Sequence, residues 1–266
     1  MSIHPTALID PSARMAPDVE VGPYAVIGPG VEIGAGCVIG PHAVLVSHLR
    51  LGREVRVHAH AVLGDAPQDL AFKGGESWVE IGDRVTIREG VTIHRGTKPG
   101  TVTRVGAGCF LMANSHLAHN VELGRNVILA NGALLAGYVV VGDAAFISGN
   151  AVVHQFVRIG RLAMVAGGAV ITKDVPPFCT THSDHRNTVV GLNVVGLRRA
   201  GFSPEDRLQV KRAFALMYRS GLTPAQAAAR IRTELSTPAA QEFGAFAGGG
   251  QRGLCSFAGQ GGAEES

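Results

Sequence analysis

A chain of 266 residues, 46% hydrophobic and 17% charged, is long enough to bury a large core, so one large globular domain with at most a small appendage is expected. The formal charge of +3 is too small to indicate a nucleic-acid partner. Neither a long apolar run nor a cleavable leader is visible, because Met1-Ser2-Ile3-His4-Pro5 leads straight into patterned sequence, which predicts a cytoplasmic protein without a membrane span. Cys37, Cys109, Cys179 and Cys255 lie too far apart for a disulfide framework or a thiolate zinc site, so no metal is expected from them.

The 36 glycines, set against only 5% aromatics, direct attention to short repeats. Every sixth residue from Ile3 to Ile171 is Ile, Leu, Val or Met, except Asp69, Gly75 and Pro99. The fifth hexad position is small or β-branched, as at Ala25, Val31, Cys37, Val85, Cys109, Val121 and Ala151. A period of six fits neither the 3.6 of a helix nor a hairpin sandwich; it fits one short strand and one turn per hexad, three hexads closing a triangular coil. Coils stacked at about 4.8 Å bury the aliphatic row inside a slender prism spanning 1–180, and most glycines are expected at its corners. The three exceptions place loops near 66–78 and 96–102.

The register stops after Asp174-Val175-Pro176-Pro177. Ser203 as N-cap, Pro204 at the first helical position and Asp206 three residues after the cap predict a helix over about 204–219, with one apolar and one basic face. Gly221 ends it, and Thr223-Pro224 opens a second helix through about Leu235. A helical domain is thus expected over 190–243, followed by a flexible glycine-rich tail over 244–266.

Histidines concentrate in Asn114-Ser115-His116-Leu117-Ala118-His119-Asn120, where Leu111 and Leu117 point inward and neither His116 nor His119 falls on a core position. A neutral imidazole near pH 7 suits proton abstraction from a hydroxyl.

The hexads VGPYAV, IGPGVE, IGAGCV and IGPHAV resemble the hexapeptide-repeat acyltransferases, which implies an all-β, left-handed parallel β-helix with a small C-terminal α-helical domain, and a homotrimer. The strings IHRGT at 93–97, NSHLAHN at 114–120, LANGALLAG at 129–137, VHQF at 153–156 and DVPPF at 174–178, with the loop LGDAPQDLAF at 63–72, resemble the UDP-N-acetylglucosamine O-acyltransferases over nearly the whole chain. The resemblance implies transfer of an (R)-3-hydroxyacyl group from acyl carrier protein, carried on its phosphopantetheine, to the 3-position of UDP-N-acetylglucosamine. This is the first step of lipid A synthesis, and no resident cofactor is implied. His119 matches the family's general base and Gly137 its oxyanion donor, with His116 assisting in sugar or phosphate binding. Gln68 and Asp69 match residues that reach a neighbouring subunit's site. His94, Tyr138, His154 and Gln155 match substrate or pantetheine contacts, Asn193 and Arg199 nucleotide contacts, and Gly167 the acyl-chain ruler. Asn120, Tyr138, Val195 and Ala71 depart from the usual Asp, His, acidic residue and Lys. Two alternatives stay open: acylation of the 3-amino analogue of the sugar, and a metal-dependent hexapeptide enzyme of the carbonic anhydrase type using His94, His116 and His119.

Overall fold

The computed structural model describes residues 2–260. Strands mostly two residues long pair in parallel with strands 18 residues further on, Ser2 with Glu20, Leu8 with Val26 and Arg14 with Glu32. Repetition of that offset builds three sheets, of 12, 9 and 8 strands among the described residues, the faces of one triangular prism. The architecture is the expected left-handed parallel β-helix of hexapeptide repeats with a small helical C-terminal region.

Two inward positions per hexad explain why the coil forms. Ile27, Ile39, Leu45, Leu63, Ile87 and Leu111 fill the interior, and Ala25, Val31, Cys37 and Ala43 close the corners beneath them. Full burial of one such aliphatic side chain contributes roughly 1.5–3 kcal/mol, and the ladder satisfies the backbone groups that go with it. Many left-handed corner residues are Asn, His or aromatic, including His42, His60, Asn114, Asn120 and Tyr138, rather than glycine. Many hexad glycines instead permit close stacking: a Cβ on Gly28 would lie 1.9 Å from the Val46 carbonyl oxygen of the next coil.

The register breaks between Asp65 and Trp78 and again between His94 and Val102, and the two excursions pack on one another. Gly100 N–H donates to the Glu76 carbonyl and Trp78 N–H to that of Thr101. The strand pairing also shifts between Leu63 and Asp65, so that Asp65 rather than Gly64 faces His94.

Past the last full coil, Cys179–Thr181 pairs antiparallel with Thr188–Leu192. Four helices follow: α1 (Val194–Arg199), α2 (Pro204–Tyr218), α3 (Pro224–Glu234) and α4 (Pro238–Phe246). Capping boxes at Ser203 and Thr223 start α2 and α3. The Arg161 guanidinium donates to the Glu242 carboxylate at 2.7 Å, tying α4 to the prism.

The stretch expected as a flexible tail from 244 is different over its described part. The Phe246 carbonyl accepts from Arg158 at 2.7 Å, Cys255 is buried, and Ser256–Phe257 adds a strand beside Thr188 and Val189. The physical reason is close approach: a Cβ on Gly250 would lie 1.9 Å from Asp174, whose carboxylate is fully buried against Arg158, so only glycine lets the chain cross that ion pair. Residues 261–266 of the expected tail lie outside the described residues.

Candidate active site

Successive coils place His119, Gly137 and Gln155 along one corner beside a groove of about 310 Å³, and the first excursion brings Asp69 against His119. Gln68, His116, His119, Leu134, Gly137 and Gln155 are among the residues that line it.

His119 is the best-held polar side chain there. Its Nδ1 lies 3.1 Å from Asn120 Oδ1, and that same oxygen accepts from the Thr97 backbone N–H at 3.0 Å. A backbone amide can only donate, so the Asn120 atom facing His119 is an oxygen and His119 Nδ1 carries the proton. In the neutral ring, Nε2 is therefore the unprotonated nitrogen. Asn120 is itself fixed, buried, with a left-handed backbone that Asn tolerates (φ 61) and its N–H donating to Thr103 Oγ1 at 2.8 Å. The asparagine that departs from the family pattern thus orients the ring as a carboxylate would, without adding charge.

Nε2 lies 3.7 Å from Asp69 Oδ2, too far for a hydrogen bond and near enough to stabilise an imidazolium. Asp69 is held by the Ala71 N–H at 2.9 Å and Thr97 Oγ1 at 3.0 Å; these bonds, in that order, keep its carboxyl below the usual carboxylate range. Gln68 and Asp69, expected at a neighbouring subunit's site, here lie against the groove of their own chain.

Gly137 has a steric reason to be glycine: an added Cβ would lie 2.5 Å from His119 Cε1 and 2.6 Å from Nε2. Ala136 N–H and Tyr138 N–H donate to the carbonyls of Val153 and His119, whereas the Gly137 N–H between them has no acceptor among the described residues. Tyr138 presents its face to Phe156, stacked at 4.9 Å, and packs edge-on with His119 at 5.2 Å. The phenol ring thus bounds one side of the imidazole.

His116 and His94 pack edge to face at 4.9 Å. Burial first and His94 second push the His116 ring down to about 4, and burial likewise lowers His94, so both are neutral near pH 7. The His116 Nδ1 meets Thr92 Oγ1 at 2.7 Å. His94, expected as a substrate contact, is buried behind His116 because the shifted pairing with Asp65 takes it into the strand. Among the described residues no group of three His, Cys, Asp or Glu side chains is arranged to hold a metal ion, which includes the trio His94, His116 and His119.

His154 and Gln155 are exposed, Gln155 on the groove. Asn193 and Arg199 stand apart from it. Both ends of the Asn193 amide are engaged, Oδ1 accepting from Gly196 N–H and Nδ2 donating to the Leu162 carbonyl, each at 2.9 Å, while Arg199 is exposed in the last turn of α1. At Gly167 an added Cβ would meet nothing nearer than 3.5 Å, so neither packing nor backbone demands glycine there. Thr97 sets both Asn120 and Asp69, and the string IHRGT contains it without revealing these partners.

A family model described as UDP-N-acetylglucosamine O-acyltransferase, domain 2, matches residues 174–255, and one for bacterial transferase hexapeptide repeats matches 1–35 and 103–137. Among solved structures, LpxA from Acinetobacter baumannii superimposes with a TM-score of 0.91 at 39% identity, covering 95% of this chain and 98% of that one. The Francisella novicida UDP-N-acetylglucosamine acyltransferase gives 0.92 at 34%, covering 99% and 100%. A curated protein of Synechocystis sp., named acyl-(acyl-carrier-protein)–UDP-N-acetylglucosamine O-acyltransferase, is 48% identical over 74% of this chain and 71% of its own. Another of the same name, from Anaeromyxobacter sp., is 47% identical over 96% of this chain and 99% of its own, and on that measure the chain belongs to the acyl-(acyl-carrier-protein)–UDP-N-acetylglucosamine O-acyltransferase family.

Proposed function

We propose that this chain moves an (R)-3-hydroxyacyl group from the pantetheine thioester of acyl carrier protein to the 3-hydroxyl of UDP-N-acetylglucosamine, opening lipid A synthesis, with His119 as general base. The observation that carries the reading is the His119 ring itself, with Nδ1–H held by Asn120 and a bare Nε2 beside the unbonded Gly137 N–H.

In this reading Nε2 takes the proton of the sugar hydroxyl as its oxygen attacks the thioester carbonyl carbon. The carbonyl oxygen gains charge and is met by the Gly137 N–H, a fixed dipole that costs no reorganisation. Asp69 stabilises the imidazolium that forms. Collapse of the intermediate breaks the C–S bond, and the imidazolium returns its proton to the departing pantetheine sulfur. His116, kept neutral, serves as a hydrogen-bonding partner for substrate rather than as a cation. Gln68, His154 and Gln155 complete the polar lining around the substrates. Gly167 leaves room along the acyl path, and larger residues there shorten the chain accepted. Asn193 and Arg199 contact the nucleotide from another subunit's groove.

Two further features support the reading. Phe110, Ile128, Phe146 and Met164 on one face and Leu134, Val152 and Val170 on another leave two apolar faces for a trimer, and Leu70 at the tip of the first excursion is 99% exposed. A groove of about 470 Å³ beside α2 combines Leu208 and Phe214 with Arg207, Lys211 and Arg219, a surface suited to the acidic carrier protein, whose approach such charges accelerate. No helix among the described residues is long and apolar enough to cross a membrane.

The test incubates the protein with 3-hydroxyacyl carrier proteins of several lengths and either UDP-N-acetylglucosamine or its 3-amino analogue, and weighs the nucleotide products. The expected result is a UDP-sugar heavier by one 3-hydroxyacyl group. His119→Ala should lower turnover by roughly 10²–10⁴-fold with the trimer intact by light scattering. An unacylated nucleotide with every donor, or unchanged turnover of H119A, overturns the proposal.

A further inference from the structure

The C-terminal segment, which sequence reasoning treated as a tail, reaches the groove region through one side chain. Arg252 Nη2 lies 2.8 Å from His154 Nδ1, and Arg252 Nε donates to the Thr172 carbonyl at 3.3 Å. The backbone that carries Arg252 is pinned on both sides. Asp174 N–H donates to the Gly253 carbonyl at 2.7 Å, Cys255 N–H to that of Asp174 at 2.8 Å, and Arg158 to that of Phe246 at 2.7 Å. The guanidinium is thus delivered to His154 by an ordered strap, 98 residues away in sequence.

The chemistry of the contact decides the state of the ring. A guanidinium has donors and no lone pair to offer, so opposite it Nδ1 must accept. The Gln155 carbonyl lies 3.2 Å from the same nitrogen and can only accept, so it calls for the opposite tautomer. The charged contact is the shorter of the two and the stronger kind. We infer that Arg252 is a positioning residue that holds His154 as the neutral tautomer protonated on Nε2, so that Nε2–H donates to an acceptor oxygen of bound substrate. Without Arg252, the Gln155 carbonyl captures Nδ1–H and Nε2 becomes a bare acceptor, unable to serve that oxygen. The inference rests on the reading of His154 as a substrate contact made above.

The experiment uses the full chain, labelled with 15N in histidine. In the wild type, the His154 resonances, assigned by comparison with His154→Ala, should show Nε2 protonated and Nδ1 bare. Arg252→Met, which keeps most of the side-chain bulk, should interchange them, whereas Arg252→Lys, which keeps a donor, should restore the wild-type pattern. In acyl transfer, R252M should lose roughly ten-fold in kcat/KM, chiefly through KM, and nothing further in the H154A background, as two residues sharing one interaction behave. An unchanged tautomer in R252M, or an equal loss in both backgrounds, overturns the inference. If H154A alone transfers acyl groups as well as wild type, the substrate-contact reading fails instead, whatever the tautomer does. Thermal unfolding of R252M at the wild-type temperature shows that the effect is not a loosened strap; a lowered temperature with an unchanged tautomer assigns Arg252 to structure alone and overturns the inference.

Discussion

One face of the prism carries the outward row Arg14, Glu32, Arg50, Glu80 and Arg104; another carries Thr92, His116, Leu134, Val152 and Val170. Beneath both rows the inward residues are the same aliphatics at the same spacing. On the first face, charges of alternating sign meet between coils, Arg50 bridging Glu32 and Glu80 at 3.3 Å each and Arg104 meeting Glu80 at 3.2 Å, with Trp78 beneath the Arg50 guanidinium at 4.1 Å. On the second, the polar groups are neutral and partly desolvated, and they adjoin the groove that holds His119. Inward positions are constrained by packing and say what the fold is; outward positions are free of that constraint, so their differences mark where the fold is put to use.

The largest expected effect breaks the groove without touching either inward row. In Gly137→Ala the new methyl would overlap the His119 ring, 2.5 Å from Cε1, and must push it aside. The backbone at 137 needs no left-handed angle, so folding should survive. Turnover should fall by about 10²-fold, the scale expected when a reacting group is misplaced by an ångström, with cooperative thermal unfolding kept. A Gly137→Ala enzyme of wild-type kcat would remove His119 from the chemistry.

That contrast also explains what could be read from sequence. The six-residue period repeats an inward packing rule, so the coil, its interruptions at Asp69, Gly75 and Pro99, and the capped helices at Ser203 and Thr223 were legible. The candidate base was legible as a histidine off the inward register. Its tautomer was not, because it depends on Thr97 donating to Asn120 across 23 residues. The burial of His94 is not legible there, because the pairing shift at Leu63 and Asp65 leaves no mark in composition. The Gly248-Gly249-Gly250 run read as flexibility, yet the glycine at 250 is there because Asp174 and Arg158 leave no space for a side chain. A glycine run has the same appearance whether it frees the chain or admits a close approach. Helices α1 and α4 were missed because α1 is short and α4 lies in the stretch read as domain end and tail.

A second way to sharpen the comparison is acid. The His116 ring is pushed down to about 4 in the folded chain, against 6.5 for an unburied imidazole. Between those two values the unfolded chain binds a proton that the folded one does not, so stability is flat above 6.5 and falls as pH drops toward 4. The whole contribution is on the order of 2–3 kcal/mol after allowance for solvent access. Urea unfolding of wild type and His116→Gln at pH 7 and pH 4.5 isolates it, since other groups titrate alike in both. The stability difference between the two proteins should shift in favour of the variant at the lower pH. A difference that does not move with pH means that the ring is not held neutral.

The smallest effect is expected on the charged face. Glu32 links Arg14 and Arg50, but the three side chains are 31–77% exposed, where an ion pair in water is worth about 0–1 kcal/mol. Arg50 keeps Glu80 and the Trp78 ring when Glu32 is gone, so even that loss is partly absorbed. Glu32→Gln should lower the urea midpoint slightly at low ionic strength, and the difference should vanish near 1 M salt, where the Debye length is about 3 Å. Acyl transfer should not change, because no residue of this row lines the groove. A change in kcat or KM for E32Q would mean that the two faces are coupled through the coil, and that the outward rows cannot be read independently of one another.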